Sequence, residues 1–278
     1  MAEITAAAVN DLRKKTGLPM MDVKKALTDA QGNEEEAIRL LRERGLKILG
    51  ARSDRETSFG RFGLYVGTSA TTGAMVELKC ESAPVAANEE FIQLANDLAK
   101  QLATGPGAAT GEELLDQASP SKPGMTLRQQ KDDLFNRIRE VFNVGRMVRF
   151  EGPCGGYSHN ATTVSGVLLQ VEGGNDAAAK DVCMHVAAMR PMGLTKEDVP
   201  ADQVERERGI LKEMALKEGK PVNIIDKIVE GQLRNFYAER VLTEQPFVKE
   251  NKLTVGKFAE QHGMKLVKFV HWELGKSE

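Results

Sequence analysis

The chain has 278 residues, 41% hydrophobic and 28% charged, the balance of a folded globular protein rather than a disordered one. Its 38 Lys and Arg stand against 40 Asp and Glu, a formal charge of -2, which argues against a protein whose main work is to coat nucleic acid. No apolar run approaches the roughly 18 residues of a membrane span, and the first residues lack the basic-then-apolar order of a secretory signal. Cys80, Cys154 and Cys183 are odd in number and far apart, which suits neither a disulfide framework nor a zinc cluster and fits a reducing cytoplasm.

Three short helices are expected in the first fifty residues. Thr5 can cap a helix through Val9, Leu12 and Arg13 that stops at Thr16-Gly17. Leu18-Pro19 makes a tight connection to a second helix, Met21 to Ala30. Asn33 can cap a third, with Ala37, Ile38, Leu40 and Leu41 as its apolar stripe up to Gly45. A core this small reads as a docking unit rather than an enzyme.

A polar linker, Ala51 to Phe59, precedes a change of period. Phe62, Leu64 and Val66 alternate, Ser69 to Gly73 turns, and Ala74 to Cys80 forms the second arm of a β-hairpin. A helix from about Ala87 to Ala103 follows, with Phe91, Leu94, Leu98 and Leu102 on one face. Thr104 to Gly124 is a loose connection with a turn of helix near Glu112 to Leu115, and a helix from Thr126 to Asn143 closes this part.

The same grammar then recurs. Met147 to Phe150 leads to Tyr157, a turn at Ala161 to Ser165, a strand Gly166 to Glu172 and a helix Ala177 to Met189. Gly73 to Lys79 aligns with Gly166 to Glu172 at an offset of 93, and Leu98 to Ala103 aligns with His185 to Arg190 at an offset of 87. The first copy therefore carries six extra residues between strand and helix, within Cys80 to Asn88, and extra length at the tip of one copy is a place to look for function. After Pro191 come two amphipathic helices, about Ala201 to Leu216 and Asn223 to Leu242, set to fold back on each other across Gly219-Lys220-Pro221. The charge run Glu205 to Arg208 reads as a solvated face. A short helix, Thr254 to Gln261, and a strand, Lys265 to Leu274, end the chain.

Chemistry-bearing motifs are missing. There is no phosphate-binding Gly-Lys loop, no nucleophile elbow and no paired-histidine zinc helix. Gly105 to Gly111 approximates a dinucleotide fingerprint but follows a helix and contains Pro106. Asn160-Ala161-Thr162 is a formal glycosylation sequon with no secretory context. His159, His185, His262 and His271 show no metal-ligand spacing; His185 and His271 read as packed residues, while His159 sits near a hairpin turn beside Tyr157. Three tyrosines without basic-aromatic interleaving also speak against RNA binding. The residues describe a binding protein rather than an enzyme, with no cofactor.

Three segments carry a family resemblance. Thr16-Gly17-Leu18-Pro19-Met20-Met21-Asp22-Val23-Lys24-Lys25-Ala26-Leu27 resembles the N-terminal signature of bacterial translation elongation factor Ts, and His185 to Pro191 and Glu244 to Val248 resemble two further family segments. The resemblance covers the chain in order. It implies an α+β fold: a ubiquitin-associated-like three-helix domain (1–52), core subdomains at 59–143 and 144–278, and a projecting helical hairpin at about 194–242. It also implies guanine-nucleotide exchange on elongation factor Tu. The factor meets the GDP-bound form, disturbs the magnesium and phosphate site, and holds the nucleotide-free form until GTP enters.

The family's Thr-Asp-Phe-Val element, which displaces magnesium, falls on Ser82-Ala83-Pro84-Val85, inside the six-residue insertion. Ala83 lacks the carboxylate of the family pattern and Pro84 is a smaller, rigid wedge than Phe, so this loop either enters the partner or only docks on it. By the same resemblance Met20 touches the partner's nucleotide domain with Met21 beside it and Arg13 as a nearby charge, unless both methionines are core fillers. His159 matches a Tyr-x-His that contacts another domain of the partner. The rival reading is an interaction protein that docks on the translation machinery without exchanging nucleotide.

Overall fold

The computed structural model describes residues 4–161 and 163–276. Thr162, in the expected hairpin turn and sequon, lies outside them. Thr5 accepts the Ala8 N–H through its hydroxyl and starts α1 (Ala6–Thr16), which Gly17 ends in the left-handed region at φ 68°. α2 (Met20–Asp29) follows Pro19, and α3 (Glu34–Gly50) begins at the Asn33 cap. Val9, Leu12, Val23, Ala26, Leu27, Ala37 and Leu41 close a small core of their own. α3 runs past Gly45, the expected stop, because Ile48 and Leu49 continue its apolar face onto the main core. Gly45 serves close approach instead: a Cβ there would lie 1.6 Å from Oδ1 of Asn136.

β1 (Phe59–Tyr65) and β2 (Thr72–Cys80) form the expected antiparallel hairpin. The single turn α4 (Ala83–Ala86) leads to α5 (Glu89–Thr104), whose Phe91, Leu94, Leu98 and Leu102 bury against the hairpin. Gly105 to Gly111 connects α5 to α6 (Gly111–Leu115), a link between helices and not the strand-to-helix turn a dinucleotide needs. A capping box of Thr126 and Gln129 starts α7 (Leu127–Ile138). This helix stops before the expected Asn143 because Arg139 takes a left-handed backbone, φ 67°, and sends Val141 and Phe142 into the core in extended chain.

β3 (Asn143–Glu151) pairs antiparallel with β2. By sequence Met147 to Phe150, within this strand, opens the second repeat; the pairing places it in the first sheet instead. The reason is the enclosure of β2: a strand buried along its length needs partners for both rows of backbone N–H and C=O groups, and β1 supplies only one. β4 (Cys154–Asn160) and β5 (Val164–Gly173) begin the second sheet, followed by α8 (Asp176–Met189). α9 (Ala201–Lys217) and α10 (Val222–Arg240) form the helical hairpin around Ala215, Ile225, Val229 and Leu233. Then come β6 (Pro246–Phe247), β7 (Glu250–Thr254), α11 (Val255–Gln261) and β8 (Met264–Glu273), which pairs with β5.

The sheets β1-β2-β3 and β4-β5-β8 face each other across Phe62, Met75, Phe150, Cys154, Leu168 and Trp272. α5 covers the outer face of the first sheet and α8 that of the second, an α+β arrangement in which β2 and β5 are the two central strands. All three cysteines are free and buried; burial pushes the Cys154 thiol up to about 11 and Cys80 up to about 12.

Candidate functional site

Eight residues separate β2 from α5, whereas two separate β5 from α8, so the six-residue insertion between the repeats is α4 and its flanks. Ser82 occupies the capping position of α4 in extended backbone, yet its side chain makes no capping bond. The hydroxyl points away from the helix and donates to Oε1 of Glu140 at 2.7 Å. Backbone bonds close the turn: the Ala86, Ala87 and Asn88 N–H groups donate to the carbonyls of Ser82, Pro84 and Val85. Val85 is buried in the first core, while Ala83 and Pro84 stand exposed at the crest. Pro84 has its ring-fixed φ in the first turn, where a missing N–H costs nothing. The loop is therefore a braced turn with a small rigid crest.

Glu81 completes the brace from the other side. Its carboxylate accepts the Val141 N–H at 2.7 Å and an Arg55 guanidinium N–H at 3.0 Å. Burial alone would raise this carboxyl, but the Val141 N–H and Arg55 together outweigh it and hold it below the ordinary carboxylate range.

Met20 and Met21 are 50% and 73% exposed; the inward positions of α2 belong to Val23, Ala26 and Leu27, so the methionines are not core fillers. Arg13 is exposed on the last turn of α1. Asp22, next along α2, accepts from Arg139 Nη2 at 2.9 Å, and the residue after Arg139 is the Glu140 that holds Ser82. The structure thus ties the start of α2 and the Ser82–Val85 turn to one dipeptide. His159 is not tied there: it is the last but one residue of β4 in the second sheet, half-buried, with Nδ1 3.0 Å from the Tyr157 hydroxyl. Arg139 and Glu140 escape the sequence reading because no glycine or proline marks the end of α7, and Glu81 and Arg55 because their partners lie 60 and 26 residues away.

On the helical hairpin, Arg208 is not simply solvated. It reaches Glu230 across the pair at 2.5 Å, an exposed ion pair on a hairpin held together by Ala215, Ile225, Val229 and Leu233. Among the described residues no three or more His, Cys, Asp or Glu side chains gather as metal ligands would, and no helix is long and apolar enough to cross a membrane.

The exposed methionines and the rigid crest are side chains that the core does not use, on a chain with no gathered metal ligands among its described residues. Comparison with known proteins places the chain among translation factors. The family description "Elongation factor TS" matches residues 81–276. The chain is 41% identical to elongation factor Ts of Deinococcus radiodurans, over 96% of this chain and 98% of the relative. It is 39% identical to that of Kineococcus radiotolerans, over 99% and 100%, and 38% identical to that of Methylococcus capsulatus, over 98% and 92%. The chain belongs to the elongation factor Ts family of translation elongation factors.

Proposed function

We propose that the chain is a guanine-nucleotide exchange factor for elongation factor Tu, working in the cytoplasm without covalent chemistry or a cofactor of its own. It binds the GDP-bound partner, presses the Ser82–Val85 turn toward the magnesium and phosphate site, and holds the nucleotide-free form until GTP enters. Magnesium bridges phosphate oxygens to protein ligands, so moving those ligands removes much of the hold on GDP. By linkage, the factor weakens GDP as much as GDP weakens the factor, and each ~1.4 kcal/mol of that coupling is tenfold in affinity. Met20 and Met21, with Arg13 beside them, supply a second contact, and His159 a third on another domain of the partner.

The observation that supports this reading best is the braced turn with Ala83 and Pro84 exposed at its crest. Ala83 has no side-chain hydrogen-bonding group, and that favours a second reading in which the turn docks without displacing magnesium. Release of a fluorescent GDP from elongation factor Tu decides between them. Faster release on adding the chain supports exchange; binding with unchanged release supports docking alone.

A further inference from the structure

We propose that Arg139 and Glu140 are a positioning pair, which fixes the Ser82–Val85 turn and the start of α2 in one spacing for the partner to read. The proposal rests on the exchange reading for its consequence, though not for its geometry. Three segments far apart in sequence converge on these two residues. From the α2 end, Asp22 accepts from Arg139 Nη2 at 2.9 Å. From the linker after α3, Arg52 Nη1 donates to the Arg139 carbonyl at 2.7 Å, while Arg55 holds Glu81. From the turn, Ser82 donates to Glu140 and Glu81 accepts from Val141, so residues 81–82 and 140–141 grip each other reciprocally.

Arg139 is held against its own backbone preference. At φ 67° it occupies the left-handed region, where glycine or asparagine fits far better than a long side chain. The turn alone would be served by glycine; only a long donor reaches Asp22. Its second guanidinium nitrogen, Nη1, is buried with no hydrogen-bond partner in the structure, so the side chain is fixed at a cost rather than free to wander. Glu140 is likewise committed, with Oε1 on Ser82 and Oε2 buried without a partner. Because Ser82 gives its hydroxyl to Glu140 and not to its own helix, the orientation of α4 depends on a residue 58 positions away.

Three variants test the pair: Glu140→Ala, Glu140→Gln and Arg139→Gly. Each is followed by amide hydrogen exchange at Ala86, Ala87 and Asn88, by thermal unfolding, and by fluorescent GDP release from elongation factor Tu over a range of factor concentrations. Glu140→Ala removes a bond to a charged acceptor, so amide exchange in the turn and the loss of maximal release should both be on the order of tenfold. Glu140→Gln keeps an acceptor for Ser82 and should restore both. Arg139→Gly relieves the backbone, so thermal stability holds or rises while the half-saturating concentration rises about threefold.

Wild-type amide exchange in Glu140→Ala overturns the pinning. Stability and release falling in proportion in Arg139→Gly overturns the positioning role, since that is the behaviour of a merely structural residue. If the wild-type chain does not speed GDP release at all, the exchange reading fails and takes the functional half of the proposal with it; the amide exchange still decides whether Glu140 pins the turn.

Discussion

His185 and Gln245 meet in the interior, Nε2 of the histidine donating to Oε1 of the amide at 2.9 Å. The Val248 N–H donates to Nδ1 from the other side, and the ring of Phe247 lies 5.8 Å away. Two of the three segments that carry the family resemblance are therefore one contact, joining α8 to the chain after α10. An acceptor at Nδ1 and a donor at Nε2 define a neutral imidazole, and burial lowers its pKa despite the opposing pull of Gln245. A histidine depressed in the folded state contributes its stability above the unfolded value of ~6.5 and loses it as pH falls below that value. Stability should drop by at most ~1.4 kcal/mol per pH unit from this group below that point. His271 is shifted the same way, so urea unfolding of the wild type and of His185→Gln at neutral and mildly acid pH isolates the effect: a smaller pH slope in the variant is expected.

Glu77 is 4% exposed on β2, and Arg146 of β3 satisfies it with Nη2 at 2.8 Å from Oε1 and Nε at 3.1 Å from Oε2. The same guanidinium donates to the Glu273 and Lys276 carbonyls and lies over Trp272, clamping the two sheets together. Glu77→Ala leaves that cation facing a buried gap. It should cost about 3 kcal/mol in chemical denaturation, the lower end for a broken buried pair because Arg146 retains some water. Glu77→Gln, which keeps the acceptor, should cost less.

Met20 and Met21 contribute no core to α2, so their replacement by alanine should leave the thermal midpoint unchanged. The proposed contact predicts weaker binding to elongation factor Tu, about 1 kcal/mol or fivefold for each, measured by titration calorimetry. His159→Ala should weaken binding similarly. Arg13→Ala should act mainly on the association rate and lose its effect at high salt, as an exposed charge does.

The duplicated unit was legible in the sequence because β2 and β5 are both enclosed and both keep an apolar run, and the insertion was legible because it is a matter of length. The partner of β3 was not, since pairing with β2 is a choice between two sheets that strand pattern alone cannot make. The end of α7 was hidden for a related reason: Arg139 adopts a left-handed backbone under tertiary contact, with no glycine to announce it. The brace on Ser82 escaped because its partner lies 58 residues on, and the exposure of Met20 escaped because it stands at helical spacing from Val23 and Leu27 yet is the first residue of α2, beyond the small core.

Nucleotide exchange comes down to a difference in grip between two states of one partner. Titration calorimetry of the chain against nucleotide-free and GDP-loaded elongation factor Tu measures it directly. Exchange requires tighter binding to the empty form, by ~10–100-fold for a coupling of ordinary size; equal affinities would rule it out.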